Sequence, residues 1–376
     1  THNMTTPTGQ IGVNDIVNEF GRAAPDGDTT GTAVSLGKYR VNDSSTFNQP
    51  LDVGVPQSGE IKMSDLQNKT RTVTFRYTGQ LSSGDQSDRS PWNLRSVYNA
   101  NQNAYQGLSI SQPKMIGEFS SLPSDFDNTS KTLIVKVKID GTLGSKRTTY
   151  NDRSTQYVAL DTGAFGIGTS IRVEVSSSGR IFGAGGRGGR GSSGNGNGGR
   201  GTNGTSAIGV RNGNKSVTVV NAGLIQCGFA GGGGGGGVYS DPDKNSQDPV
   251  SSGGGGGGGA GLPNGLGGSA GTGAVHSANG NAGTNSTVSV RGLGGSGKVG
   301  NRGNSRSGDG GNGGQNGISA ENGDNRSAGS GFKSGGSGGS AGSNGAAIRK
   351  KSGASFTLTN TGTVIGSTSA TNYTNN

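Results

Sequence analysis

The chain has little of what enzymes and ordinary globular domains rely on. It holds one cysteine, Cys227, and one tryptophan, Trp92, in 376 residues. A single cysteine excludes an intrachain disulfide. There are two histidines, His2 and His276. Neither stands near a nucleophile and an orienting acid at a spacing that would serve acyl or group transfer. No enzyme activity, cofactor or metal is therefore expected. No apolar stretch approaches the ~20 residues of a membrane-spanning helix. The start, "THNMTTPTGQ", lacks the basic-then-apolar pattern of a secretory leader, so synthesis in a cytoplasm is expected.

Apolar and charged residues are also scarce, at 27% and 15%. A small apolar content raises the prospect of disorder, but disorder usually needs high charge as well. The net charge of +10 is spread thinly. It suggests attraction to anionic partners, phosphorylated polysaccharide or nucleic acid, without choosing between them.

What is abundant is glycine, 80 residues. The stretch "CGFAGGGGGGGVYSDPDKNSQDPVSSGGGGGGGAG" from Cys227 sets two heptaglycine runs around a polar loop. A left-handed threefold helix of the polyproline II type has no internal hydrogen bonds. Built of glycine, several such helices can lie side by side and bond to one another, offsetting the entropy glycine loses on ordering. Runs 231–237 and 253–259 fit central helices, surrounded on all sides. We take Gly231, Gly234, Gly237, Gly253, Gly256 and Gly259 as scaffold markers. The two runs are expected to be adjacent and antiparallel, with 238–252 as a loop at one end. In "GAGGRGGRG" from Gly183, every third residue (Ala184, Arg187, Arg190) is free to face outward. Alternation along the chain is expected to bring 191–197, 238–252, 274–286 and 318–326 to one tip.

Elsewhere the pattern is β. "VTFRYTG" places Val73, Phe75 and Tyr77 on one face. "TLIVKVKID" does the same with Leu133, Val135, Val137 and Ile139, opposite Lys136 and Lys138. A repeat runs through "SIRVEVSSSGRIFGAGG" (from Ser170), "SVTVVNAGLIQCGFAGG" (from Ser216) and "SFTLTNTGTVIGS" (from Ser355). Each is an alternating strand, a turn and a glycine (Gly179, Gly223, Gly362). "TVSVRGLGGSGKVGNRGN" from Thr287 reads as a degenerate fourth copy. A shorter repeat lies near the start: "IGVNDIVN" from Ile11 matches "IKMSDLQN" from Ile61. Each reads as an extended segment and a helical turn capped at Asn14 or Ser64, with Gln67 at capping-box spacing. The fold class is mainly β plus a glycine-rich domain of packed polyglycine II helices, with little α-helix. The divisions are 1–69, a small module with two repeats; 70–182, β-rich; 183–346, the glycine sandwich; and 347–376, a C-terminal strand repeat and tail.

Several candidate sites have plain structural readings beside them. Cys227 has no basic neighbour and reads as a buried structural thiol. Asp241, Asp243 and Asp248 lack the glycine and closing glutamate of a calcium loop and read as solvated. "GGRGGRGSSGNGNGGRG" resembles an arginine–glycine box but contains no aromatic for base stacking, so no nucleic-acid partner is expected. The loop 238–252 is the sharpest recognition candidate. It carries Tyr239, Asp241, Asp243, Lys244 and Asp248, and two prolines that restrict the unbound ensemble. Val275, His276, Ile318, Glu321, Arg326 and Phe332 follow from the other loops. Ile318 and Phe332 fit a cap on the bundle's end equally well.

The entries "VSSSGRIFGAGGRGGRG" and "VVNAGLIQCGFAGGGGGGG" resemble the glycine-rich domain of T-even-type bacteriophage tail-fibre adhesins, over Ser170 to Asn376. That resemblance implies a sandwich of polyglycine II helices. It also implies one adhesin capping a trimeric fibre, and variable loops that bind a host outer-membrane protein or lipopolysaccharide. The pattern "IGVNDIVNEFG…SLGKYRV…PQSGEIKMSDLQNKT" is similar to a small module of many tailed-phage virion proteins. It makes Ile11, Asp15, Ile61 and Asp65 candidates for attachment to a tail or tail-fibre protein. A virion location, at a tail or tail-fibre tip, is then expected. A non-adhesive structural or tail-assembly virion protein is the alternative reading. A disordered RNA-binding chain is a third.

Overall fold

A computed structural model describes residues 10–12, 15, 59–68, 71–80, 92–94, 114–115, 133–148, 157–165, 168–193, 196–211, 214, 216–237, 252–272, 280–297, 307–325, 336–371 and 373. The strands build three parallel sheets that the chain visits in a fixed cycle. The first contains β1 (Arg71–Tyr77), β4 (Leu133–Ile139), β7 (Thr169–Val175), β10 (Ser216–Asn221) and β13 (Thr357–Asn360). β3 (Lys114–Met115) lies antiparallel on its β1 edge. The second contains β5 (Thr142–Leu143), β8 (Arg180–Phe182), β11 (Leu224–Gln226) and β14 (Thr363–Ile365). The third contains β2 (Trp92–Asn93), β6 (Val158–Asp161), β9 (Ser206–Val210) and β12 (Ile348–Lys350). The three middle circuits, from β4, β7 and β10, each add one strand to each sheet, so the chain winds as a three-sided β-helix.

Alternation in sequence becomes stacking in this helix. In-register pairing puts Phe75, Val137, Val173 and Val219 in one inward column, and Val135, Ile171 and Val217 in the next. All seven are buried, each worth about 1.5–3 kcal/mol of apolar transfer. Outside, Glu174 takes Arg172 at 2.6 Å and Lys136 at 3.7 Å. The repeat glycines line the corner between the first two sheets. A Cβ on Gly179 would sit 2.0 Å from the Ile139 carbonyl oxygen, and one on Gly223 2.2 Å from that of Gly179. Coils meet too closely there for a side chain. At the edge of the column, Asn221 is fully buried and donates to Asn360 Oδ1 at 2.7 Å.

The segment from Thr287 does not join this stack. Thr287 N donates to Val290 O at 2.8 Å in a tight turn, and Val290 and Leu293 are 54% and 56% exposed. Its alternation has no core to face, which corrects its reading as a fourth strand copy. β9, β10 and β11 lie inside the glycine-rich range 183–346, and β12–β14 inside 347–376. All six pair within the β-helix, so strand pairing divides the chain differently from glycine content. Near the start, the two short repeats share one turn. Asp15 Oδ2 accepts from Gly12 N at 2.8 Å, and Asp65 Oδ2 from Lys62 N at 2.7 Å. The 3-10 turn Met63–Leu66 begins after Lys62, so the second turn is capped there and not at Ser64. The aspartate reaching back decides the start.

The glycine-rich chain leaves the β-helix at one corner, between the second and third sheets: after β8, returning at β9, and after β11, returning at β12. It forms ten straight segments, numbered here in chain order: rod 1 (183–192), rod 2 (197–205), rod 3 (227–237), rod 4 (252–260), rod 5 (263–272), rod 6 (280–287), rod 7 (290–297), rod 8 (307–315), rod 9 (318–325) and rod 10 (336–346). Their hydrogen bonds show the threefold turn. Gly231, Gly232 and Gly233 donate to Thr202, Gly257 and Glu321, on three different rods. Gly234, Gly235 and Gly236 then return to the same three, at Gly199, Gly254 and Asp324. Carbonyls of rod 3 accept from rods 1, 8 and 10. Rod 3 thus has six neighbours. Rod 4 has six as well: rods 1, 3, 5, 6, 7 and 8. The layers are rods 2, 1, 5; then 10, 3, 4, 6; then 9, 8, 7. The two heptaglycine runs are the two fully surrounded rods. They run antiparallel through Phe229 N to Ala260 O (2.8 Å), Gly232 N to Gly257 O (2.9 Å) and Gly235 N to Gly254 O (2.8 Å).

Outer rods have amides with no rod beyond them, and side chains take their place. Asn203 Oδ1 accepts from Ser343 N at 2.7 Å, and Asn322 Oδ1 from Ala341 N at 2.8 Å; on central rod 3, Asn344 Oδ1 likewise takes Ala230 N at 2.9 Å. Thr202 Oγ1 accepts from Arg187 N at 2.7 Å. An amide or hydroxyl every third residue therefore finishes the surface of the bundle, answering the requirement that buried backbone donors be paired.

Candidate functional site at the loop-bearing end

Because successive rods alternate in direction, their connections fall at two ends. Those at the β-helix end are minimal. Rod 8 turns into rod 9 through Gln315 N to Ile318 O and Ile318 N to Gln315 O, both 2.9 Å, with Gly317 at φ +75°. Rod 6 turns into rod 7 at Thr287–Val290, and rod 4 into rod 5 at 260–263. At the far end the chain leaves Gly237 and returns at Ser252, leaves Thr272 and returns at Gly280, leaves Gly297 and returns at Ser307, and leaves Asn325 and returns at Gly336. Ser193 and Gly196 bound a shorter fifth connection there.

This end is tied across its rim. Ser193 Oγ lies 3.1 Å from Thr272 Oγ1, joining rods 1 and 5. Buried Ser252 receives Gly280 N on its Oγ at 2.9 Å, and buried Ser307 donates to Ser252 O at 2.7 Å. Asp309 Oδ1 accepts from Gly297 N at 2.6 Å. These hydroxyls hold the bases of four connections at fixed spacing. They escape sequence reading because a serine or threonine beside a glycine run carries no signal of its partner.

Of the residues singled out from sequence, Tyr239, Asp241, Asp243, Lys244, Asp248, Val275, His276, Arg326 and Phe332 lie outside the described residues, within connections whose bases are at this end. Ile318 and Glu321 do not join them. Ile318 sits in the tight turn at the β-helix end and is 42% exposed. Glu321, one turn up rod 9, binds Arg291 Nη1 at 2.9 Å and Asn312 Nδ2 at 2.7 Å. Their grouping with the tip is corrected, as is the extension of 274–286 beyond residue 279, because 280–287 is rod 6. The connection 298–306, absent from the expected group, belongs to it. Gly231, Gly234, Gly253, Gly256 and Gly259 all bond to neighbouring rods, and Gly237 N reaches Gly196 O at 3.2 Å. Of the attachment candidates, Ile11 is buried, and Asp15 and Asp65 close the paired turns. Ile61 directly precedes the second of these turns.

Cys227 is buried against Phe229, Ala260 and Ile365 at the base of rod 3, and burial pushes its thiol up to about 12. Arg211 binds Asp161 through Nε at 2.8 Å and through Nη2. Burial opposes the Arg211 charge, but these bonds outweigh it and its pKa is raised. Tyr373 packs beside the pair, its phenol raised by burial and by Asp161. This cluster, with Tyr373 N donating to Lys350 O at 3.2 Å, pins Tyr373 onto the third sheet. Among the described residues no group of three or more His, Cys, Asp or Glu is placed to hold a metal ion, and no helix is long and apolar enough to cross a membrane.

No curated protein matches the chain. Among solved structures, the crystal structure of the gp37–gp38 adhesin tip complex of the bacteriophage S16 long tail fibre is similar, with a TM-score of 0.29 and 17% identity. The match covers 84% of this chain and 89% of that one. The family model of the phage tail fibre adhesin Gp38 matches residues 98–369. That span takes in the β-helix from β3 onward and every glycine rod, so the chain belongs to the phage tail fibre adhesin Gp38 family.

Proposed function

We propose that this receptor-binding adhesin of the phage tail fibre reads the host surface with the connections 238–251, 273–279, 298–306 and 326–335, held by the rim of the glycine sandwich. The observation that carries the reading is the asymmetry of the two ends. Gln315–Ile318 shows how short a rod-to-rod turn can be in this chain. The longer connections at the far end exceed what joining two rods requires. Rod positions are set by backbone pairing, so these connections can change sequence without repacking a core. The mechanism is binding, with no bond made or broken, and the partner is a host outer-membrane protein or lipopolysaccharide.

At the other end of the chain, the paired turns at Gly12–Asp15 and Lys62–Asp65 support residues 1–69 as the module that docks on a tail or tail-fibre protein, one copy capping a trimer. The chain would be made in the host cytoplasm before assembly. The test is to replace 238–251 by a four-residue turn copied from Gln315–Ile318 and measure adsorption of assembled phage. Particles should assemble and fail to adsorb. Normal adsorption would remove that connection from the recognition surface.

A further inference from the structure

The two flat faces of the sandwich differ in charge. On the layer of rods 2, 1 and 5 the charged residues are Arg187, Arg190 and Arg200. On the opposite layer, rods 9, 8 and 7, Asp309, Glu321 and Asp324 accompany Arg291, which is paired with Glu321. No Asp or Glu occurs in the sequence between Glu174 and Asp241. Arg190 and Arg200 are exposed, and no ion pair to either is found among the described residues.

Backbone bonds fix where these arginines stand. Gly199 N donates to Arg190 O at 2.7 Å, and Thr202 N to Arg187 O at 2.8 Å. Arg200 therefore follows directly the residue bonded to Arg190, on the adjoining rod. Arg187 and Arg190 are one turn apart, about 9 Å at the polyproline II rise. Arg190 is two residues from Ser192, where rod 1 reaches the loop-bearing end. The scaffold does not require cations at such positions. Rod 10 carries Ser337, Ser340 and Ser343 at the same threefold spacing.

We propose that this arginine flank, just beneath the recognition loops, binds phosphate groups on the bacterial surface glycan that surrounds the receptor. The guanidinium fork matches phosphate oxygens in a bidentate fashion. A flank lacking carboxylates also attracts polyanions over about a Debye length. The inference rests on the adhesin reading and adds a second contact to it. Rim loops select the receptor, and the flank holds the chain against the anionic layer.

The test uses the full chain and purified lipopolysaccharide, either intact or stripped of phosphate with hydrofluoric acid, immobilised for binding measurements. Wild type is expected to bind the intact material, weakening as salt rises, and to lose the stripped material. Combining Arg190→Gln and Arg200→Gln should weaken binding roughly fivefold to tenfold, the sum of two exposed ion pairs. Asp324→Asn on the opposite face should leave it unchanged. Equal binding by the double variant overturns the proposal. So does equal binding to stripped material, or arginine-dependent self-association that replaces glycan binding. Whole-cell adsorption by the loop-shortened chain separates the two readings. If cells adsorb wild type normally while intact lipopolysaccharide is not held, only the flank proposal fails.

Discussion

A single methyl group at the centre of the sandwich tests the whole scaffold. In Gly234→Ala the new Cβ would lie 2.0 Å from Arg190 O and 2.5 Å from Arg190 C, both backbone atoms of rod 1. Ordinary contact needs over a further ångström, so rods 1 and 3 must separate. Their ladder is Gly186 N to Phe229 O, Gly189 N to Gly232 O and Ser192 N to Gly235 O, at 2.8, 2.8 and 3.0 Å. Each bond contributes about 0.5–1.5 kcal/mol net, and each buried group left unpaired costs about 1–3. The expected loss is about 2–5 kcal/mol, or a melting temperature lower by roughly 3–6 °C in a chain of this length. Gly196→Ala is the control. Its Cβ would meet nothing nearer than Ser193 O at 3.6 Å, so stability should change by less than about 1 kcal/mol. Calorimetry measures both, and hydrogen exchange of 231–236 shows where the change lies. Equal melting temperatures for the two variants, or free exchange of these amides in wild type, would refute a scaffold held by rod-to-rod pairing.

Asn344→Ala removes the side-chain acceptor of Ala230 N, and Ala230 is 1% exposed. It should cost about 1–3 kcal/mol, with faster exchange confined to the amide of Ala230, while Asn344→Asp retains most of the stability. Cys227 should resist iodoacetamide in the folded protein at pH 8 and react at once in denaturant. Its thiol is pushed from 9.0 to about 12. The folded pKa is the higher one, so its contribution is complete below pH 9 and declines as pH rises towards 12. A stability profile flat across that window in wild type, or the same decline in Cys227→Ala, would contradict the burial.

Much of this architecture could be read from residue order alone. Uninterrupted glycine over 231–237 and 253–259 fits the inside of a bundle, where neighbouring backbones leave no room for a Cβ, and both runs are the six-neighboured rods. Alternation in Leu133–Ile139 and Thr169–Val175 names their inward faces without reference to any partner. Tertiary structure alone decided which end each connection occupies. Direction reverses at every turn, so one misread segment inverts everything after it. Reading Thr287–Val290 as part of a strand hid a reversal, lost the connection 298–306 and carried Ile318 to the wrong end. Pairing partners are equally hidden, since a glycine amide looks the same whichever rod accepts it. Only the packed lattice determines that Gly233 meets Glu321 and Gly234 meets Gly199.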